Sequence, residues 1–211
     1  PGGRGAGRKS AAAKADAAAA NDTAVRPSTP LRTQLLLLVG GVLWLLAVLA
    51  LLTHSAADPG FSTSGDGAAL RNKVGLGGAW LSDFALFMFG HSVWWLPLVG
   101  ARAWLGALAR GMRGVVAHPT THGALLFWIG LALLLSASCA LEWTRLYRFE
   151  GSLPGHAGGV LGYVLGPLSM KWLGFAGSGV LWIATPVVGS ALALRFSWLR
   201  VADALGGALA G

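Results

Sequence analysis

Two ionisable residues interrupt the apolar stretch GGAWLSDFALFMFGHSVWWLP at 77–97. These are Asp83 and His91. An ionisable side chain within a membrane span is a candidate ion-binding or proton-transfer group. However, Asp83 lies only four residues after the predicted span start at Ala79, or about 6 Å of helical rise, where an amide-rich helix start favours a carboxylate. The spacing therefore favours a structural role over transport, such as a helix cap formed by Ser82 or Asp83, with GGAWL before it at the interface. His91 lies deeper in the span.

Other patterns that carry chemistry are weak or missing from the sequence. There is no GxxxxGK[ST] phosphate loop, no HExxH and no CxxC, and Cys139 is the only cysteine. His118 and His122 have the i, i+4 spacing of metal ligands, but Pro119 interrupts them, and a solvated loop is the favoured interpretation. His91 and Ser92 are adjacent and do not face each other on a helix, which argues against a membrane hydrolase. We expect no catalytic, cofactor-binding or metal-binding residue.

The apolar residues form long uninterrupted blocks, which predict an all-α integral membrane protein. The chain is 55% hydrophobic and 11% charged, with a mean hydropathy of +0.62. About 20 apolar residues are needed to cross a bilayer. Four blocks meet this length, and a shorter one precedes the last as an interfacial or re-entrant helix. The predicted spans are 34–53, 79–101, 123–141 and 174–194, and the short helix is 157–170. Counting 157–170 as a fifth complete span is the alternative.

The ends of the chain and the basic residues predict the topology. Residues 1–30 are low in complexity and predict a disordered cytoplasmic tail, and 201–211 the start of a cytoplasmic linker. With four spans, most of the 16 Lys and Arg residues fall on the side that holds both termini. The positive-inside rule then places that side in the cytoplasm. The net charge of +8 thus reflects topology and lipid attraction rather than a DNA-binding face.

Gly158, Gly162 and Gly166 are spaced four apart before the last span. Such glycines line one helix face and allow a neighbouring helix to approach closely. The alternative is that they permit a bend, favoured by Pro167. Close packing is the favoured interpretation.

Three segments together resemble the membrane region of FtsK/SpoIIIE-type DNA translocases. DPGFS at 58–62 is similar to a D-P-x-[WF]-S motif, with Phe61 where Trp is often found. NKVGLGGAWLSDFALFMFG at 72–90 is similar to N-x-x-G-x-x-G-A-W-L-[AS]-D-x-x-[FL]-x-x-[FL]-G, the more specific of the three. GGVLGYVLGPL at 158–168 resembles the G-G-x-[IVL]-G segment before the last span. The long tail at 1–30 departs from the pattern.

The resemblance implies a four-span membrane anchor and oligomerisation module of a translocase that acts in cell division and chromosome segregation. It implies a homo-oligomer (a hexamer), division-machinery partners and a septal location in the bacterial cytoplasmic membrane. ATP, Mg²⁺ and DNA would be bound by a motor beyond Gly211. The alternative is a small transporter or channel that uses Asp83 and His91. Seven residues are candidates for structural or interaction roles: Asp58, Pro59, Trp80, Asp83, Gly158, Gly162 and Gly166.

Overall fold

The computed structural model describes residues 31–113, 121–198, 202–203 and 206–208. The predicted tail at 1–30, most of 201–211 and His118 lie outside these residues. Within the described ranges the chain forms helices and loops and no β-strand, which confirms the all-α class. His122 lies in the first turn of a helix, exposed, rather than in the predicted loop.

Five α-helices form most of the described part of the chain. They are α1 (Leu31–Leu52), α2 (Leu76–Phe89), α3 (Trp95–Met112), α4 (Thr121–Arg145) and α5 (Gly159–Leu194). Short 3₁₀ helices occupy Gly90–Trp94 and Tyr147–Ser152. Four helical segments are long and apolar enough to cross a membrane: Leu31–Leu52, Leu76–Met112, His122–Arg145 and Gly159–Leu194. The predicted count of four spans is confirmed.

The second of these segments changes its course at Gly90. This residue has φ 58° and ψ −147°, a conformation open to glycine but not to residues with a Cβ, and it separates α2 from the 3₁₀ turn that leads into α3. The helical segment is longer than the predicted span at 79–101. It begins at Leu76 because GGAWL, expected to precede the helix, forms its first turns.

A pair of reciprocal tryptophan contacts joins α1 to α3. The Trp44 indole N–H donates to the carbonyl of Pro97 at 2.9 Å, and that of Trp104 donates to the carbonyl of Leu37 at 2.8 Å. The Trp104 ring also lies against Gly41. These bonds satisfy indole groups that would otherwise be unpaired in an apolar environment.

Helices α4 and α5 pack so closely that side chains are excluded between their backbones. A Cβ added at Gly130 would lie 2.6 Å from the Ala193 nitrogen, and one at Gly189 would lie 2.7 Å from the Leu134 nitrogen. The central apolar cluster lies beside these contacts and comprises Val99, Leu131, Leu134, Leu135 and Ala193.

The long helix α5 folds back on itself at Gly174. This glycine has φ 67° and ψ −178°, outside helical values. Trp182 Nε1 donates to Ser169 Oγ at 2.8 Å, although 13 residues would span about 20 Å along a straight helix. The predicted short helix at 157–170 is therefore the first arm of a helical hairpin, and the reversal lies at Gly174, after the glycine segment for which a bend was the alternative.

Candidate functional site

The carboxylate of Asp83 holds the loop that joins α1 to α2. Asp83 is 2% exposed and lies well inside α2, since this helix begins at Leu76. It accepts hydrogen bonds from the backbone N–H (2.6 Å) and the hydroxyl (3.0 Å) of Ser62. The predicted capping role of Ser82 or Asp83 is wrong: Gly75 is at the N-cap, with no side-chain cap bond. Asp83 instead fixes a loop against the side of the helix.

A second buried carboxylate, Asp58, closes the same loop on itself. Asp58 is 3% exposed and accepts the backbone N–H groups of Arg71 (2.8 Å) and Asn72 (2.7 Å). Asn72 Nδ2 in turn donates to the carbonyl of Ala50 at 2.9 Å, in the last turn of α1, where carbonyls lack helical partners. The loop thereby ties the end of α1 to the start of α2.

Removing the Asp58 carboxylate is expected to open this loop. Asp58→Ala leaves two backbone N–H groups unpaired, at a cost of about 2 kcal/mol. Because these amides belong to Arg71 and Asn72, trypsin should cut after Arg71 or Lys73 several-fold faster than in the parent chain. Limited proteolysis in detergent or nanodiscs measures this rate. Ser64→Ala, which changes an exposed side chain of the same loop, is the matched control and should be cut at the parental rate.

His54 lies next to both carboxylates. Its Nδ1 is 3.2 Å from Ser82 Oγ, and its Nε2 is buried without a hydrogen-bond partner among the described residues. Desolvation lowers the pKa of His54 from 6.5, and the charges of Asp83 and Asp58 offset only part of this effect. The imidazole is therefore neutral in the folded protein at neutral pH.

The lowered pKa of His54 makes stability depend on pH. The unfolded chain binds a proton near pH 6.5, whereas the folded chain resists it, so this contribution is fully present above pH 6.5 and decreases as the pH falls below that value. His54→Gln should flatten the dependence of the unfolding midpoint on pH between about 7.5 and 5.5, as measured by thermal unfolding in detergent. His156→Gln, which changes an exposed histidine, is the control. Equal slopes in the parent and His54→Gln would contradict this assignment.

The other candidate residues in and beside the loop that joins α1 to α2 are less buried than Asp58 and Asp83. Phe61 contacts the ring of Phe84 edge-on at 5.2 Å and that of Phe87 at 5.5 Å, so this aromatic position packs against α2. Pro59 is half-buried, and Trp80 is 49% exposed. Trp80 is thus available to lipid or another chain.

His91 belongs to a different network, centred on Glu142. Glu142 is 4% exposed and accepts the backbone N–H groups of His91 (2.9 Å) and Ser92 (3.0 Å). His91 Nδ1 lies 3.0 Å from one carboxylate oxygen, and Ser92 Oγ lies 3.0 Å from the other. Ser138 extends the network through Ser92 Oγ (2.8 Å) and the Trp95 indole (3.1 Å). A groove of about 430 Å³ opens beside these groups.

This arrangement explains why an acidic residue is buried in α4. The break at Gly90 starts a new helical turn, whose first amides lack partners within the helix. Glu142 supplies the acceptor from the neighbouring helix. The sequence placed Glu142 in a loop after a span ending at 141, whereas α4 continues to Arg145. In the sequence, only the charge of Glu142 and its position just past the predicted span could have indicated a buried role.

The three spaced glycines lie at the closest contact of the hairpin with α4. Gly158 is the N-cap of α5 with φ 72°, so it belongs to a turn, and a Cβ there would collide with the Cys139 carbonyl. At Gly162 an added Cβ would lie 2.5 Å from the same oxygen, and at Gly166 it would collide with the Trp143 ring. Gly162 and Gly166 thus serve close helix packing, and Gly158 a turn.

Arg145 shows where the reversal of the hairpin lies relative to α4. Its guanidinium donates to the carbonyl of Phe175 and stacks on the ring of that residue. Gly158 is level with Cys139, six residues before the end of α4, whereas Phe175 contacts the last residue of that helix. The chain after α4 therefore runs back alongside this helix by about 9 Å before the first arm of the hairpin begins. This placement was not visible in the sequence.

The structure does not join Asp83 and His91 into one site. Asp83 accepts hydrogen bonds from Ser62, whereas His91 bonds to Glu142. Within the described ranges, no three His, Cys, Asp or Glu residues are placed to hold a metal ion. Both Asp83 and Glu142 accept backbone amides, which is an architectural arrangement.

Comparison with known proteins assigns the family. The family described as "4TM region of DNA translocase FtsK/SpoIIIE" matches residues 31–206. Similar curated proteins are DNA translocase FtsK 2 of Ralstonia nicotianae (39% identical, covering 80% of this chain and 23% of the relative) and DNA translocase FtsK of Pseudomonas syringae pv. syringae (37%, 81% and 21%). FtsK of Vibrio parahaemolyticus is 32% identical, over 80% of this chain and 16% of that protein. No solved structure matches.

The chain spans less than a quarter of the length of these relatives. Its matched region holds all four long apolar helices, so it is a multi-pass membrane domain. The loop motif around Asp58, the α2 motif around Asp83 and the match over 31–206 agree. The chain belongs to the family of four-span membrane regions of FtsK/SpoIIIE DNA translocases.

Proposed function

We propose that this chain anchors a DNA translocase in the bacterial cytoplasmic membrane at the division septum and brings its copies together there. The observation that carries the proposal is the match of residues 31–206 to the membrane region of DNA translocases. ATP, Mg²⁺ and DNA would be bound by a motor part of the translocase, and this chain would contribute no catalytic step. Division-machinery proteins would contact its loops.

The proposed topology places both termini in the cytoplasm. Arg102 Nε donates to the Leu194 carbonyl at 2.8 Å, so the second half of α3 lies at the same end of the bundle as the end of α5. Arg102 and Arg195 lie at this end, and the positive-inside rule assigns arginine-rich ends of a membrane bundle to the cytoplasm. A C-terminal green fluorescent protein fusion should fluoresce, and a C-terminal alkaline phosphatase fusion should be inactive. The reverse pattern would favour five spans.

The large apolar side chains of α1 support contact with lipid or with other copies. Many are exposed, for example Leu35 at 62%, Leu38 at 63% and Leu45 at 60%. Native mass spectrometry of the chain in nanodiscs tests oligomerisation. A discrete complex of six copies supports the hexamer that the family implies, and a monomer over the whole accessible concentration range argues against the oligomerisation role.

A transporter is the competing function, and Asp83 distinguishes the two. Asp83→Asn keeps an oxygen that can accept from Ser62, so an anchor should retain its fold and oligomeric state, with a stability loss of about 1 kcal/mol. A proton or cation transporter that uses this carboxylate would lose flux. Liposomes containing a pH-sensitive dye measure proton flux. Flux in the parent that disappears in Asp83→Asn would overturn the anchor-only function.

A further inference from the structure

At the end of the bundle opposite the loop of residues 53–75, a cavity of about 340 Å³ lies between α3, α4 and α5. Arg102, Arg110 and Arg195 line it, together with Phe127 and Trp128 on its apolar side. Among the described residues, no Asp or Glu lines this cavity. We propose that this space, which we call the arginine cavity, is a binding site for the phosphate headgroup of an anionic phospholipid.

Two of the three arginines of this cavity are held by hydrogen bonds, and all three retain donors for a ligand. Arg102 uses Nε for the Leu194 carbonyl, and Arg195 uses one terminal nitrogen for the Gly123 carbonyl at 2.8 Å. A guanidinium carries five N–H donors, so each has others left for phosphate oxygens. The Arg110 side chain folds back over Gly106, where an added Cβ would lie 3.3 Å from its Nη1. All three arginines line this one space.

The backbone adds to the attraction for an anion. Helix α4 begins at Thr121, so its amide-rich, positive end lies near the cavity, which Ala124 lines. The C-terminal end of α5 carries a partial negative charge, and the hydrogen bond from Arg102 to the Leu194 carbonyl offsets it. The net field in the cavity favours a negative charge.

The apolar side of the cavity selects a lipid over other phosphate ligands. Phe127 is half-buried and Trp128 is 64% exposed, in a helix long and apolar enough to cross the membrane. A tryptophan beside basic residues at the end of a span is typical of the membrane interface. An acyl chain would lie along Trp128 while the headgroup meets the arginines. A DNA backbone or free phosphate would leave this apolar surface unused.

Lipid retention measures the site directly. The chain is extracted from bilayers of equal phosphatidylglycerol and phosphatidylcholine, and retained lipids are counted by native mass spectrometry. Phosphatidylglycerol should be retained preferentially. Because a basic residue near an anionic surface contributes about 1 kcal/mol, Arg110→Gln should reduce this preference about fivefold. Arg110→Lys, which keeps the charge, should stay within about twofold of the parent. Arg110 donates no hydrogen bond within the described part of the protein, so the fold should tolerate both changes.

Arg113→Gln is the matched control, since it removes an equal charge just past the end of α3 and outside the cavity. Equal retention of the two lipids, or an equal loss in Arg113→Gln and Arg110→Gln, would overturn the proposal. Displacement of the lipid by inorganic phosphate at about 10 mM, or by duplex DNA in an Arg110-dependent manner, would overturn it in favour of those ligands. Retention of phosphatidylglycerol in the presence of phosphate and of duplex DNA supports the proposal. The proposal does not depend on the anchoring function.

Discussion

Glu142→Ala is expected to destabilise the membrane domain by about 4 kcal/mol, the largest of the effects that we predict. The change leaves the backbone amides of His91 and Ser92 without their acceptor in a buried site. Each unpaired buried group costs about 1–3 kcal/mol, and Glu142 accepts from these two amides and from the Ser92 hydroxyl. Unfolding in increasing sodium dodecyl sulfate, followed by circular dichroism, measures the loss.

Two further variants separate the hydrogen-bonding role of Glu142 from its charge. Glu142→Gln keeps one acceptor oxygen, so we expect an intermediate loss of about 1.5 kcal/mol. Glu150→Gln removes the carboxylate of the exposed pair with His156, and should change stability by less than about 0.5 kcal/mol. A Glu142→Ala protein as stable as Glu150→Gln would show that the carboxylate does not hold the helix break.

Gly162→Ala is expected to separate the first arm of the hairpin from α4, at a cost of about 3 kcal/mol. The added methyl would lie 2.5 Å from the Cys139 carbonyl oxygen and 3.2 Å from that of Ala157. Backbone atoms cannot rotate away as a side chain can, so the helices must move apart, and overpacking of this kind costs about 1–3 kcal/mol. The same unfolding assay applies.

Gly77→Ala is the matched control for Gly162→Ala. Gly77 also lies within a helix, but nothing lies within 4 Å of an added Cβ there. Since Gly77 lies in the first turn of α2, alanine should be neutral or stabilise the protein by up to about 0.5 kcal/mol. If Gly162→Ala were likewise neutral or stabilising, close approach of the two backbones at this point would be ruled out.

The membrane architecture could be predicted from the sequence because hydropathy depends only on residues that are adjacent in the chain. A bilayer requires about 20 apolar residues in a row, and hydropathy alone locates such blocks. The residues of the α2 motif lie within one helix and one loop, so their resemblance to the family could be recognised from spacing. The predicted count of four spans and the family assignment are both confirmed.

The buried hydrogen-bond networks could not be predicted, because the bonded residues are distant in sequence. Glu142 bonds to residues 50 and 51 positions earlier, and no local pattern links them. Asp83 was placed near a helix start because it lies four residues after the predicted span start at Ala79. In the structure this segment is helical, and the carboxylate acts through Ser62, 21 residues away.

The hairpin of α5 illustrates the same limit. Hydropathy separated 157–170 from 174–194, and the glycine spacing indicated close packing. The direction of the first arm depends on the turn at Gly158 and on the reversal at Gly174, which are backbone conformations rather than composition. Only the contacts with Cys139 and Trp143 establish that this arm lies beside α4.

The subcellular position of the chain tests the central claim most directly. A fluorescent fusion of the chain would be imaged in dividing cells of a proteobacterium, alongside a fusion carrying Glu142→Ala and an unrelated four-span membrane protein as the control. We expect the parent chain to concentrate in a band at mid-cell during constriction, and the other two to be spread evenly around the membrane or lost. An even distribution of the stably folded parent chain would contradict its proposed function as a septal anchor.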